Sequence, residues 1–448
     1  MGLETDKQPL NPLDLGLRCI DLSIRGVGYP GFETQMLVWL HGRVDSANLR
    51  RAIERLGRRR PVITARLIED AKPAGPYWQF QPGQTARLTE IDLPSADDEA
   101  VLTCAGGLLS TSFDPAACDP LRFYLLHRPG GGDVFIMQFN HVLMDNSATT
   151  WLLRELDQLV QDSSAAANDT PRHEPRFVVS RRLRSVPHAA RRSGALAAIE
   201  LQAHSLRGRA ALLASDQGIR PRRSNLQIAT REIAEGQARA IRARVVRSCG
   251  LPSLSMAILA SAFRGIQALG PQGHNADRRY MAGIGMDLRD SQGARGDGGD
   301  GPLLQNLLSV VAINAMPDKL AERDELIRYL NAQMRDRLEK KIDLGVLRVT
   351  RLFQRRPRHM QWVADHMLRW SVSLWYAYFG SLDSIGERFC GIEIERAQYV
   401  GPTWSPLGIA LLVNQFHGRL HFQLTHDPDL VPPPLAQAYL DWIAGDLL

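Results

Sequence analysis

The chain has 448 residues, of which 44% are hydrophobic and 23% are charged. This composition is typical of a folded globular protein and excludes a largely disordered one, and the length favours two lobes over a single core. The net charge of +6 fits an acidic partner, such as a phosphate-bearing cosubstrate, an acidic carrier protein or an anionic membrane surface. The sequence contains no nucleic-acid-binding motif, so nucleic acid is not an expected partner.

The five cysteines are scattered along the sequence and form no C-x-x-C pair. This pattern favours reduced thiols in a cytoplasmic protein over a disulfide framework or a zinc site. The opening "MGLETDKQPL" lacks the basic and then apolar pattern of a signal peptide. No apolar run approaches the roughly 20 residues that span a bilayer. We therefore expect a cytoplasmic protein.

The first part of the chain has an α/β pattern. "ETQMLVWLHGRV" predicts a strand, and "DSANLRRAIERLGRRRP" predicts a helix capped by Asp45 or Ser46. "VITARLIED" and "YWQFQP" predict two further strands, and "EAVLTCAGGLLSTSF" predicts a helix. "LRFYLLHR" and "DVFIMQFN" are apolar strands joined by "PGGGD", which is a hairpin signal. "SATTWLLRELDQLVQ" then predicts a helix capped by Asn146 or Ser147.

The composition changes near residues 162–176, which form the best candidate for a linker. An α/β pattern then resumes, with predicted strands "NLQIATREI", "RYMAGIGMDLR" and "NLLSVVAINAM". Helices are predicted for "EGQARAIRARVVRSCG", "LPSLSMAILASAFRGIQALG" and the terminal "PPLAQAYLDWIAGDLL". Two strands flank His417 and Gly418. The two parts share a rough order of elements, so we expect an N-terminal lobe over 1–170 and a C-terminal lobe over 171–448.

A His-x-x-x-Asp pattern occurs twice. In the first copy, Asp45 precedes a helix and His41 lies in a strand-like run, so an ordinary helix cap explains it. In the second copy, His141 ends a buried strand and Asp145 precedes a helix, and strand exits are where α/β proteins place catalytic groups. A neutral imidazole with a pKa of ~6.5 can accept a proton near neutral pH. The local pattern leaves open whether His141 is a general base or a histidine of the core.

The segment "NHVLMDN" resembles the His-His-x-x-x-Asp-Gly motif of the chloramphenicol-acetyltransferase-like superfamily, which includes nonribosomal-peptide condensation domains, wax-ester synthases and polyketide-associated acyltransferases. Other segments resemble that superfamily in the same order along the chain: "FDPAACDPLRFYLL", "CGLPSLSMAILASAFRGI", "GMDLRD", "GPLLQNLLSV" and "NQFHGRLHFQLTHDPDL". The resemblance implies an α/β fold of two such lobes, each a mixed sheet with helices, forming a V-shaped pseudo-dimer with a central tunnel.

By this resemblance His141 is the general base of an acyltransferase. The acyl group would come from a thioester of coenzyme A or of a carrier protein's phosphopantetheine arm, and the acceptor would be an alcohol or an amine. The resemblance implies that Asp145 pairs with Arg289 and that Asn140 and Asn306 lie at the substrate tunnel. It implies neither a metal nor a permanently bound cofactor. The absence of a G-x-S-x-G elbow fits direct transfer without a covalent intermediate.

Two positions depart from the motif: Asn140 replaces its first histidine and Asn146 replaces its glycine. The backbone N–H of Asn146 remains available to face a developing oxyanion. Two rival functions stay open, namely carrier-dependent amide condensation in natural-product biosynthesis and binding by a relative that has lost catalysis. The stretch "RLFQRRPRHMQWVADHMLRWSVSLWYAYFG" fits a peripheral membrane helix, although packing or a tunnel wall is favoured.

Overall fold

The computed structural model describes residues 7–69, 75–81, 83–162, 187–205, 208–214, 225–249, 253–271, 273, 275–289, 304–353 and 357–448. The strands are β1 Lys7–Pro9, β2 Glu33–Leu40, β3 Arg66–Ile68, β4 Tyr77–Gln79, β5 Leu88–Asp92, β6 Leu121–His127, β7 Val134–Asn140, β8 Gln227–Ile233, β9 Tyr280–Asp287, β10 Leu308–Ala315, β11 Trp375–Ser381, β12 Arg388–Phe389, β13 Ile392–Val400, β14 Ile409–Phe416 and β15 Arg419–His426. The helices are α1 Pro12–Gly26, α2 Ser46–Arg59, α3 Asp98–Leu109, α4 Asn146–Gln161, α5 His188–Ser205, α6 Glu235–Cys249, α7 Leu254–Leu269, α8 Arg323–Glu339, α9 Ile342–Phe353, α10 Pro357–His366 and α11 Pro433–Leu447.

The first lobe is built on a six-stranded sheet in the order β12-β13-β2-β7-β6-β5. Only the β5–β6 pair is parallel, and the predicted β6–β7 hairpin is confirmed. Every residue of β2 and of β7 is buried, which is why both strands read as continuous apolar runs. The carboxyl end of β7 is therefore buried, and the residues that follow it begin inside the protein.

We expected each lobe to be one continuous segment, 1–170 and 171–448, but the first lobe also contains strands from the C-terminal part of the chain. The expected boundary, and nearly all of the predicted linker at 162–176, lie outside the described residues. The first-lobe sheet takes β12 and β13 from the C-terminal side of that boundary, with β13 antiparallel to β2. The last part of the chain thus completes the sheet that carries β7.

The second lobe contains a four-stranded sheet in the order β11-β14-β15-β8, and β14 and β15 form the predicted hairpin at His417 and Gly418. Helices α7 and α11 pack against each other, and α11 also covers β8 and β15. A separate antiparallel ribbon of β9 and β10 runs beside this sheet. This ribbon matters for the site because one of its faces lines the space between the lobes.

Two local predictions need correction. Residues Pro61–Thr64 form a turn of 3₁₀ helix, and among the described residues of the stretch "VITARLIED" the strand is limited to Arg66–Ile68. Pro61 starts the turn because its fixed φ suits a helical first position. Helix α1, which the sequence reading missed, opens on a capping box in which Asn11 and Asp14 bond each other's backbone N–H groups.

The helices that the structure describes contain no single span that is long and apolar enough to cross a bilayer. Helices α6 and α7 meet that test of length and composition only when counted together across a bend of 92°. Within the aromatic stretch considered for a membrane surface, Trp375 and Tyr376 lie on strand β11, and Trp362 is 60% exposed.

Candidate active site

The turn after β7 is shaped by the side chain of Asn140. Its Oδ1 accepts a hydrogen bond from the N–H of Val142 at 3.0 Å, and its backbone carbonyl accepts one from Leu143 at 2.9 Å. This is the side-chain-to-backbone turn that asparagine favours. The N–H of His141 bonds the carbonyl of Phe32 on the neighbouring β2 segment at 2.9 Å. His141 is therefore held on both sides by backbone bonds.

The imidazole of His141 is enclosed but reaches a cavity, with 5% of the residue exposed. Its ring stacks on Phe32 with 4.8 Å between centroids and 12° between planes, and it meets the ring of Phe139 in a T-shaped contact with 6.1 Å between centroids. Burial lowers the pKa of His141, while its own backbone, the Asp145 charge and the Asn306 side chain oppose that shift. The ring is thus neutral at pH 7, the form that can accept a proton.

Asp145 bonds groups of both lobes through its two carboxylate oxygens. One carboxylate oxygen, Oδ2, accepts from Arg289 Nη1 at 2.7 Å and from the N–H of Leu307 at 2.8 Å. The other, Oδ1, accepts from the N–H of Ala148 at 3.0 Å and caps α4. The cap of α4 is therefore Asp145, and the prediction of Asn146 or Ser147 was wrong because the aspartate serves the helix and the ion pair at once.

Arg289 is in turn fixed on the second-lobe side. It donates to the carbonyl of Gln305 at 3.0 Å, and its guanidinium lies 5.3 Å from the ring centre of Trp151 on α4. Both side chains of the Asp145–Arg289 pair are buried, and Arg289 also contacts Oδ1 of the partly exposed Asp287 at 3.3 Å. The buried Asp145 carboxylate therefore depends on Arg289 for its neutralising charge. The structure brings together the pair that the sequence comparison implied.

Asn306 lies behind the wall of the cavity and is not among the described residues that line it. Its amide donates to the carbonyls of His141 and Val142, at 3.0 and 3.1 Å, and to Oδ1 of Asp14 at 2.9 Å. Burial raises the pKa of Asp14 to about 7. The expected tunnel position is thus corrected to a buried one, in which Asn306 clamps the loop of His141 onto helix α1.

Asn140 is also buried instead of lining the cavity. Its Nδ2 donates to Oδ1 of Asp21 at 3.1 Å, and the same oxygen accepts from the N–H of Phe32 at 2.7 Å. Asp21 is paired with Arg18 and Arg25 on α1. This polar cluster orients Phe32, on which His141 stacks, so Asn140 has a structural place where the motif has a histidine.

Asn146 is the first residue of α4 and lines the cavity. In the described part of the chain, no group accepts a hydrogen bond from the backbone N–H of Asn146 or of Ser147. The carbonyl of Asn146 accepts hydrogen bonds from the hydroxyls of Tyr399 at 3.0 Å and Thr150 at 3.1 Å. A helix N-terminus with free N–H groups is electropositive and suits a developing negative charge.

These groups meet at a cavity of about 670 Å³ between the lobes. From the first lobe it is lined by His141, Asp145 and α4, and from the second by the β9–β10 ribbon, Arg289 and β11. The residues described by the structure include no three His, Cys, Asp or Glu side chains close enough together to hold a metal ion. A volume of this size lies within the range of ligand-binding cavities.

The first His-x-x-x-Asp copy provides an internal comparison. Asp45 caps α2 through the N–H of Asn48 at 3.0 Å, as predicted, but His41 is exposed. Sequence reasoning missed three residues that hold the site, namely Asp14, Asp21 and Phe32. The segment "NPLD" at Asn11 carries the capping-box signal that could have revealed α1.

Comparison with known proteins supports the fold. Neither a family model nor a curated protein sequence matches the chain. Among solved structures, trichothecene 15-O-acetyltransferase of Fusarium sporotrichioides superposes with a TM-score of 0.70 at 9% identity, covering 100% of this chain and 96% of that one. The first condensation domain of the calcium-dependent antibiotic synthetase gives 0.68 at 12% identity, covering 99% and 96%. Polyketide synthase associated protein 5 of Mycobacterium tuberculosis gives 0.61 at 15% identity, covering 96% of each chain.

These likenesses show that the chain has the two-lobed α/β fold of condensation domains and chloramphenicol-acetyltransferase-like acyltransferases. The predicted fold class and the resemblance that led to it are confirmed. At such low identities a shared fold does not carry over the reaction, which must be argued from the site itself.

Proposed function

We propose that the protein is an acyltransferase that moves an acyl group from a thioester to a hydroxyl or an amine, with His141 as the general base. The observation that carries this proposal is a buried, neutral imidazole on the wall of a two-lobed cavity, beside a helix N-terminus with free N–H groups. A neutral base and an electropositive helix end are the two groups that direct acyl transfer needs.

The proposed reaction has three steps, namely attack on the carbonyl, stabilisation of the oxyanion and release of the thiol. With Nδ1 of His141 buried, Nε2 is the nitrogen available to remove the proton from the acceptor as that atom attacks the thioester carbonyl. The oxyanion that forms faces the N–H groups of Asn146 and Ser147. When the carbon–sulfur bond breaks, the imidazolium gives this proton to the leaving thiolate, which restores the neutral imidazole. Asp145 and Arg289 keep the loop in place and take no part in proton transfer.

The test measures thiol release from acyl-CoA and from acyl groups on a phosphopantetheine carrier, with alcohol and amine acceptors supplied in parallel. We expect His141→Ala to lower kcat/KM about 10²–10⁴-fold. His41→Ala is the matched control because it removes an exposed histidine at the same spacing from an aspartate. Circular dichroism and the unfolding temperature verify that each variant is folded. Activity of His141→Ala within tenfold of the wild type would contradict the proposed base.

The pH profile gives a second readout. Since burial lowers the pKa of His141, kcat/KM should fall on the acidic side with a midpoint below the ordinary value of about 6.5. A folded wild-type protein that releases no thiol from either donor class would instead favour the binding protein suggested by Asn140 and Asn146.

Carrier-dependent amide condensation is the second candidate, favoured by the likeness to a condensation domain of the calcium-dependent antibiotic synthetase. This function requires turnover of the carrier-bound donor with an amine acceptor. Comparable turnover of free acyl-CoA with an alcohol would exclude it.

A further inference from the structure

A second cavity, of about 210 Å³, lies beside the reaction cavity. Helices α1, α5, α9 and α10 line it on one side, and the β9–β10 ribbon lines it on the other. None of the steps proposed above uses it. Its position next to the site raises the question of what it holds.

The lining of this cavity is apolar. Among the described residues that line it, none carries a charge, and Met360 and Met367 contribute flexible thioether side chains. The thiol of Cys19 also faces the cavity, and burial raises its pKa to about 12, so it remains neutral. The hydroxyl of Thr350, which also lines the cavity, donates to the carbonyl of Val346. A pocket of this kind suits an aliphatic group, and the described lining offers no charged side chain to pair with a charged ligand.

The two cavities adjoin along the β9–β10 ribbon. Leu308, Val310 and Ala312 alternate along one face of β10, opposite Asp287, Gly285 and Gly283 of β9. The reaction cavity covers the end of this face near Asp287, and the apolar cavity covers the end near Ala312. Four residues line both cavities: Gly283, Leu308, Val310 and Trp375. These four residues form a partition that both cavities share.

The partition also lies close to the proposed base. The ring of Trp375 meets the ring of Phe32 edge-on at 5.3 Å, and Phe32 stacks on His141 at 4.8 Å. A chain that starts at a carbonyl beside His141 therefore has to pass one aromatic side chain to enter the apolar cavity.

Because Gly283 and Gly285 of β9 have no side chains, the side chains of Val310 and Leu308 can pack directly against the β9 backbone. A Cβ at Gly283 would lie 2.7 Å from Cγ1 of Val310, and one at Gly285 would lie 3.1 Å from Cδ1 of Leu308. The side chains of Val310 and Leu308 thus lie over bare backbone. With a larger residue in β9 they would be pushed into the passage between the cavities.

We propose that this cavity holds the distal part of a straight acyl chain carried by the thioester donor, an inference that rests on the proposed function. A cavity of about 150 Å³ accommodates benzene, so 210 Å³ has room for about eight carbon atoms. The polar thioester and its arm remain in the larger cavity with Asp145 and Arg289. The preferred donor is therefore a medium- or long-chain acyl thioester.

The test uses acyl-pantetheine thioesters from acetyl to hexadecanoyl, with binding read from the rise in unfolding temperature and transfer read from thiol release. Affinity should increase about fourfold for each methylene that enters the cavity and then stop increasing. Ala312→Phe should move that limit to shorter chains because its ring fills most of the space. Met360→Ala should move it to longer chains, so the two variants act in opposite directions.

Equal binding of all chain lengths, or a limit that neither variant moves, would overturn the inference. A matching series of primary alcohols separates donor from acceptor: if only the alcohols follow the two variants, the assignment to the donor is wrong. Chain-dependent binding without thiol release from any donor would leave the cavity assignment standing and contradict acyl transfer. Thiol release with no dependence on chain length would support acyl transfer and contradict the cavity assignment.

Discussion

Replacing Arg289 with methionine tests whether the Asp145–Arg289 pair holds the lobes and the loop of His141 together. Methionine keeps an apolar stem of similar length but removes the charge. The change leaves the Asp145 carboxylate buried with only the N–H groups of Ala148 and Leu307 as partners, at 3.0 and 2.8 Å. Breaking a buried pair from one side costs about 3–5 kcal/mol. Because two hydrogen-bond donors to Asp145 remain, we expect the free energy of unfolding to fall by about 3 kcal/mol, near the lower end of that range.

Arg239→Met is the matched control. Its ion pair with Glu235 has an N–O distance of 2.6 Å, against 2.7 Å for Arg289 and Asp145. The side chains are 77% and 56% exposed in the control, but only 5% and 4% exposed in the buried pair. Water screens the exposed pair, so its loss should change the free energy of unfolding by less than about 0.5 kcal/mol.

Urea unfolding of both variants, together with Asp145→Asn and the double variant Asp145→Asn/Arg289→Met, supplies the measurement. Asparagine can still cap α4 through its Oδ1, but it leaves Arg289 with only its longer ion pair to the partly exposed Asp287, at 3.3 Å, among the described residues. The double variant should be less destabilised than the sum of the single changes by about 2 kcal/mol. Additive losses, or a loss for Arg289→Met no larger than that of the control, would refute the view that the charges depend on each other.

Two further predictions concern the support behind the loop. Burial raises the pKa of Asp14 to about 7, so between about pH 4 and 7 the folded chain keeps a proton that the unfolded chain releases. The wild type should therefore lose up to about 4 kcal/mol relative to Asp14→Asn as the pH rises through that window, and urea curves that stay parallel would contradict this. Asn306→Leu should lower kcat at least about tenfold with little change in KM, because it strands the carbonyls that position His141. Asn414→Leu, which removes an equally buried asparagine elsewhere, should lower the unfolding temperature and leave kcat unchanged.

The sequence predicted the central strands well because their environment is uniform. Strands β2, β7 and β14 are buried at every residue, and such strands read as unbroken apolar runs. Helix α1 was missed for the opposite reason, since its buried face carries Arg18 and Asp21 and so hides its apolar period. Strand β13 joins β2 from more than 350 residues away, and no local pattern encodes that pairing.

The site shows the same division between local and distant information. His141 and Asp145 could be proposed from a short motif at a strand exit, but the same motif at His41 and Asp45 also caps a helix. The second copy is distinguished by a carboxylate oxygen that reaches Arg289, more than 140 residues further along the chain. In the first copy the histidine stays exposed, whereas in the second it is buried and its pKa is lowered. If His141 is the base that we propose, a His-x-x-x-Asp match should be followed up where the histidine is buried and a distant cation pairs with the aspartate.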